Sequence, residues 1–253
     1  MALLEVEDVS KAFRGLRAVE GATFAVERHT ITALIGPNGA GKTTLFNLVA
    51  GVYRPDRGDI RLRDRSIAGL PAHRVCAAGV GRTFQLVKPF AGMSVLDNAV
   101  VGALHGERTV AAARTRALAV LERLGLGSKA AFGATQLTLA DRRRLEVARA
   151  LATRPALLLL DEMMAELRSP EIDELVAVLR TVQREEGVTI LLTEHVMRAV
   201  MALADQIVVL HHGQVIARGE PQSIVREAAV LESYLGAEGS ADAASADPDR
   251  VEG

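Results

Sequence analysis

Thr30-Ile-Thr-Ala-Leu-Ile35 runs directly into Gly36-Pro-Asn-Gly-Ala-Gly-Lys-Thr43. The first six residues are a compact β-rich run that ends in glycine. A helical pattern follows, with Leu45, Leu48 and Val49 on one side. The eight residues between fit G-x-x-x-x-G-K-[S/T]. Gly36, Gly39 and Gly41 allow backbone N–H groups to turn inward around phosphate oxygens. Lys42 reaches β- and γ-phosphates, and the Thr43 hydroxyl is a ligand for Mg²⁺. The helix that starts here points its positive end at the anion. Pro37, Asn38, Ala40 and Thr44 complete the expected nucleotide-binding stretch. At this chain's own Gly, Lys and Ser+Thr frequencies the pattern arises by chance roughly 0.003 times in such a length.

A second element of a nucleotide site lies downstream. Leu157-Leu-Leu-Leu160 is followed by Asp161-Glu162. Two carboxylates at the C-terminal end of a buried strand stand where open α/β sheets bind ligands. Asp161 is expected to hold Mg²⁺ directly or through water, and Glu162 to polarise an attacking water as general base. Taken alone, a strand ending in Asp-Glu is equally a solvated strand end. Beside a phosphate loop it reads as the other half of a triphosphate site.

Around these motifs the chain alternates strands and helices. The first 26 residues read as strands, as does Asp59–Leu62, and Pro71 is placed to open a short helix. From about Pro89 to Arg154 helix formers dominate, which predicts a helical subdomain inserted into a sheet domain. Strand character returns at Ala156–Leu160, Thr189–Leu192 and Gln206–Leu210, with helical patterns between them. Continuous apolar strands alternating with helices predict a parallel sheet covered on both faces. His211-His212-Gly213 reads as a hairpin turn, and Met197 and Met201, at i and i+4, as core packing. Residues 236–253 are small and acidic and are expected to be a disordered tail. No internal repeat is found.

Composition narrows the function. The chain has 253 residues, 49% of them hydrophobic, with 30 Lys+Arg against 31 Asp+Glu. Such a balance gives no basic surface for a nucleic-acid backbone, and 3% aromatics with no Trp offers no base-stacking groove. One cysteine, Cys76, excludes an internal disulfide and a cysteine zinc cluster and suits a reducing compartment. No apolar run approaches the ~20 residues of a membrane span. The acidic Glu5, Glu7 and Asp8 near the N-terminus argue against a signal peptide. A cytoplasmic protein is expected, touching a membrane only through a partner.

With these motifs in place, the chain resembles the ATP-binding subunits of ABC transporters over about residues 3–235, and within them the branched-chain amino-acid uptake group. The stretches Gly81-Arg-Thr-Phe-Gln85 and Arg143-Arg-Leu-Glu-Val-Ala-Arg-Ala-Leu151 carry that finer likeness. The resemblance implies a P-loop NTPase core of α/β class, with a mostly parallel sheet, an N-terminal antiparallel β subdomain and an inserted helical subdomain. It implies ATP and Mg²⁺ as ligands and hydrolysis coupled to import at the cytoplasmic face of the membrane. The implied partners are transmembrane permease subunits, a second ABC ATPase subunit (identical or different) and, indirectly, a solute-binding protein. Phe13 matches an aromatic that stacks on adenine, with a core aromatic as the lesser alternative. Gln85 matches a glutamine that touches Mg²⁺ and faces the membrane subunits. His195 matches a histidine that contacts the γ-phosphate.

Three places depart from the family pattern. Where Leu-Ser-Gly-Gly-Gln is usual, this chain has Leu137-Thr-Leu-Ala-Asp141. Thr138 keeps a hydroxyl. Leu139 and Ala140 replace two glycines; the N–H groups that in the resembled family face the partner's nucleotide survive, but each Cβ is expected to crowd the phosphate. Asp141 suits a helix start but is expected to repel a polyphosphate. At ~7 Å and an effective dielectric of ~20, one charge pair is worth about 2 kcal/mol. The arginines 142–144 read as a solvated helix face. Met163 stands where proline is frequent, and Glu166 and Arg168 stand in a loop where Gly and Asn or Asp are usual. Soluble repair or translation ATPases of this kind usually carry a long coiled-coil insertion or two cassettes, and the single phosphate loop and the short stretch between Gln85 and Leu137 fit neither.

Overall fold

The computed structural model describes residues 1–83, 89–224, 226, 227 and 230. The chain opens with two long strands, β1 (Ala2–Phe13) and β2 (Leu16–Glu27), joined across Arg14-Gly15. Then come β3 (Ile31–Ile35), α1 (Lys42–Val49), β4 (Arg57–Leu62), β5 (Arg65–Ser66), α2 (Ala72–Ala78) and β6 (Val80–Arg82). Helices α3 (Val95–Ala103), α4 (Val110–Arg123) and α5 (Leu139–Ala152) follow in succession. The chain then alternates through β7 (Leu157–Asp161), α6 (Ser169–Glu186), β8 (Thr189–Thr193), α7 (Met197–Leu203), β9 (Gln206–His211), β10 (Gln214–Gly219) and α8 (Pro221–Ile224).

Two sheets result. One has the order β2-β1-β4-β5 and is antiparallel throughout. The other has the order β10-β9-β3-β8-β7-β6, parallel except for β10, which returns on β9 through the hairpin at His212-Gly213. Period-two alternation sorts the central strands between two cores. Ile35, Leu158, Leu160, Ile190 and Leu192 pack with α3 to α7. Leu34, Leu157, Leu159 and Leu191 pack on the other side with α1 and the antiparallel sheet. Burial on both faces is why these strands read as unbroken apolar runs. Among the described residues no helix is long and apolar enough to cross a membrane.

Three local expectations are corrected. Pro71 is the residue before α2, in extended conformation, so it caps the helix from outside. Met197 packs against the core, but Met201 on α7 is exposed. The arginines 142–144 do not form a solvated face. Arg143 is buried, Arg144 bonds Glu174 across to α6 at 2.6 Å, and Arg142 donates to the carbonyls of Leu137 and Thr135 at 3.0 and 3.1 Å. The helix turns that flank toward α6 and toward its own entry, so the charges are used in tertiary contacts.

Candidate functional site

The C-terminal ends of β3, β7 and β8, which lie side by side, bring the candidate residues to one edge of the parallel sheet. β3 ends at Ile35 and the chain enters Gly36–Thr43. A Cβ on Gly36 would lie 2.0 Å from the Leu210 carbonyl oxygen, and one on Gly41 would lie 2.2 Å from that of Ala18. The loop is therefore wedged between β9 and β2, and only glycine fits at both points. Gly39, with φ 80°, has nothing within 4 Å of its Cβ position, so the tip of the loop is open. Residues 38–44 line a cleft of about 490 Å³ together with Leu16, Arg17, Ala18, Glu162 and His212.

Lys42 is 8% exposed, and its Nζ donates to the carbonyls of Gly36 at 2.7 Å and Pro37 at 3.0 Å. Burial pushes the ammonium below its usual value, while the nearby carboxylates of Glu162 and Asp161 pull it back up. A buried cation held by neutral carbonyls beside an open, N–H-rich loop favours an anionic ligand.

Asp161 is 2% exposed, at the end of β7. Its Oδ1 accepts from Thr193 Oγ1 at 2.8 Å, and its Oδ2 meets Arg82 Nη2 at 3.0 Å. The next residue leaves the strand. Glu162 adopts φ 46°, donates its N–H to Thr193 O at 3.1 Å, and lines the phosphate-loop cleft. The left-handed backbone of Glu162 thus turns the chain from a sealed carboxylate to a half-buried one that lines the cleft. The Thr43 hydroxyl and the Asp161 carboxylate are hard oxygen donors of the type Mg²⁺ takes, with substrate phosphates completing its shell.

His195 lies two residues beyond the end of β8 and is exposed. Its neighbour Glu194 is 3% exposed; Oε1 accepts from Met164 N–H at 2.8 Å and burial raises the carboxyl above its usual value. Phe13 ends β1 and is 38% exposed, which rules out a core role. Its ring meets Tyr53 edge-on at 5.1 Å, and Lys11 Nζ lies 5.5 Å from its centre. Phe13 pairs across the hairpin with Leu16, a wall residue of the cleft. Gln85 lies outside the described residues; Thr83, just before them, is buried and its Oγ1 accepts from Asp161 N–H at 3.2 Å.

Thr138 and Ala140 lie apart from this cleft, at the start of α5. Thr138 Oγ1 accepts from Asp141 N–H at 3.2 Å and caps the helix. Asp141 differs from expectation. It is 5% exposed, and its carboxylate is paired with Lys129 rather than presented to solvent. The repulsion of about 2 kcal/mol expected from an unpaired charge does not carry over. Sequence reading also missed Arg82, Tyr53, Thr193 and Glu194. Their partners are distant in the chain, and only Glu194, next to His195, carried a local signal.

A family profile described as ABC transporter matches residues 19–165. The high-affinity branched-chain amino acid transport ATP-binding protein LivG of Salmonella typhimurium is 39% identical over 249 residues, covering 92% of this chain and 98% of LivG. Its counterpart BraF of Pseudomonas aeruginosa is 40% identical over 250 residues, with the same coverage of 92% and 98%. Among solved structures, the ADP conformation of MJ1267, an ATP-binding cassette of an ABC transporter, superposes with a TM-score of 0.85 at 28% identity, covering 93% of this chain and 99% of that one. The fold, the phosphate loop and a likeness extending along nearly the whole chain agree: the protein belongs to the ABC transporter family, as one of its ATP-binding cassettes.

Proposed function

We propose that this chain hydrolyses ATP with Mg²⁺ at the cleft between the phosphate loop and Glu162, and that the hydrolysis drives uptake of branched-chain or related amino acids through partner permease subunits. The observation that carries the reading is that Lys42 and Glu162, 120 positions apart in the numbering, line one open cleft. Residues 36–44 bind the phosphates. Lys42 is anchored by the carbonyls of Gly36 and Pro37 and is held ready for the β- and γ-oxygens. Thr43 and Asp161 would hold Mg²⁺, with Gln85 as a further contact. A magnesium ion held there would supply neutralisation of developing phosphate charge. Glu162 accepts a proton from the attacking water, and His195 contacts the γ-phosphate from the end of β8. Phe13 stacks on adenine, with Tyr53 bracing its edge.

Thr138 and Ala140 face a different part of the surface. In this reading they contact the nucleotide of a second ATPase subunit, identical or different. The relatives are named for branched-chain amino acid transport, and an amide or urea as cargo is the nearest alternative, since this chain need not touch the solute. A solute-binding protein delivers it, and the cassette sits peripherally on the cytoplasmic face of the membrane. Residues 1–235 form the cassette, with the helical subdomain at about 89–154. The acidic tail 236–253 lies outside the described residues.

A second reading, a nucleotide-binding subunit that seldom hydrolyses, is favoured by Leu139 and Ala140 in place of glycines. Glu162→Gln decides between them. If Glu162 is the base, the variant loses turnover by about 10²-fold or more and accumulates an ATP-bound dimer on a sizing column. If turnover and oligomeric state are unchanged, the hydrolytic reading fails.

A further inference from the structure

Arg82 is a cation that the expected chemistry does not use. In the parallel pairing of β6 with β7, Arg82 is level with Leu159, two residues before Asp161. Residues i and i+2 of a strand share a face, and Leu159 belongs to the core under α1. Arg82 and Asp161 therefore meet on the α1 side of the sheet. There the guanidinium is divided. Nη1 donates to Asn47 Oδ1 on α1 at 2.6 Å, and Nη2 pairs with Asp161 Oδ2 at 3.0 Å. Both groups are largely buried. Asp161 Oδ1 already accepts from Thr193, so both oxygens of this carboxylate are engaged.

The geometry points to Arg82 as a positioning residue that stands in for the divalent cation at Asp161 and competes with it. This rests on the proposed reading of Asp161 as the carboxylate that serves Mg²⁺. A guanidinium stays charged at every accessible pH, so the competition is permanent and only the ligand set can shift it. A dication arriving with phosphate oxygens brings more charge and more ligands than the arginine. A dication alone must displace Nη2 with little in return. Asn47 keeps hold of Nη1, so Nη2 can leave Asp161 without releasing the whole side chain. Metal and nucleotide are thereby made to bind together, and a metal-only state is suppressed.

The full-length chain, Arg82→Gln and Arg82→Lys are compared by titrating MgCl₂ into protein with a fluorescent, non-hydrolysable ATP analogue, and by thermal unfolding without nucleotide at low and high MgCl₂. In Arg82→Gln, the Mg²⁺ concentration that half-saturates nucleotide binding should fall at least about threefold. MgCl₂ alone should raise the melting temperature of this variant and leave the parent unmoved. Arg82→Lys, which keeps a charge but loses the fork that reaches both Asn47 and Asp161, should shift in the same direction by less, and it serves if Arg82→Gln does not fold. An unchanged or raised half-saturation in the variants overturns the inference. If the parent itself shows no Mg²⁺-dependent nucleotide binding, the nucleotide reading fails and this inference with it. A responsive parent with unshifted variants rejects Arg82 alone.

Discussion

Lys129 and Asp141 form an ion pair that closes the entry to α5, joining a short helical turn to the first turn of the helix. Asp141 also donates its N–H to Thr138, the capping residue. The carboxylate is therefore a structural anchor and is not a charge aimed outward. Lys129→Met would leave a buried carboxylate without its cation, and should lower unfolding stability by about 1–3 kcal/mol in urea titrations. Adding Asp141→Asn should recover much of that loss. If the two losses simply add, the pair is not coupled.

The same pair separates the two departures at α5. With the charge of Asp141 neutralised, Asp141→Gln alone should change ATP turnover of an assembled complex by less than threefold, about 0.6 kcal/mol or under. Leu139→Gly with Ala140→Gly should raise it, because those side chains stand nearest the N–H groups offered to a partner. A flat response to the double glycine variant would mean that this helix entry does not limit turnover.

Glycine positions in the phosphate loop should differ sharply in tolerance. Gly41→Ala puts a Cβ 2.2 Å from a backbone oxygen at φ 103°, so the loop must move and nucleotide binding should be lost. Gly39→Ala meets no atom and carries only the strain of φ 80°, about 1–2 kcal/mol. Calorimetric binding of an ATP analogue, read beside thermal unfolding, separates the two. Equal losses at both positions would contradict the packing described.

Lys42→Ala should leave the nucleotide-free protein as stable as the parent or more so, since it removes a desolvated ammonium. Its melting temperature should no longer rise with ATP and MgCl₂. In the parent, ligand at 100 times Kd is worth about 2.7 kcal/mol. A large stability loss without nucleotide would instead make Lys42 a structural residue.

Glu171, in the first turn of α6, accepts from the Arg168 guanidinium and from the Arg168 N–H, which hold its carboxyl down to about 2. A carboxyl held below its unfolded value of about 4.3 contributes stability above that value, and the contribution is lost as pH falls through the folded value. NMR titration should show Glu171 still ionised at pH 3, and Arg168→Ala should return it toward the ordinary range. Titration near 4 in the parent would show that the contact does not persist in solution.

The parallel sheet was legible because its strands are buried on both faces. Leu157–Asp161 and Ile31–Ile35 carry so little polar character that burial is written directly in their composition. The phosphate loop and the Asp161-Glu162 step were legible because each is contiguous. Pairings closed by tertiary folding were not. Arg82 finds Asp161 79 positions away, and Phe13 finds Tyr53 only once the antiparallel sheet has formed. The arginines 142–144 misled for a related reason: a helix pattern shows which residues share a side, but not that α6 would supply Glu174 to one of those sides.

The wedging of Gly36 against Leu210 and of Gly41 against Ala18 makes the anion cradle a product of both ends of the chain. A protein cut in the loop between α3 and α4 and expressed as two fragments would leave neither half with a competent cradle. One half would carry Lys42 without the hairpin that shapes its loop, and the other would carry Glu162 with no lysine opposite. Recovery of ATP binding would then report reassembly of the fragments, which makes this cassette suited to complementation assays of its own folding.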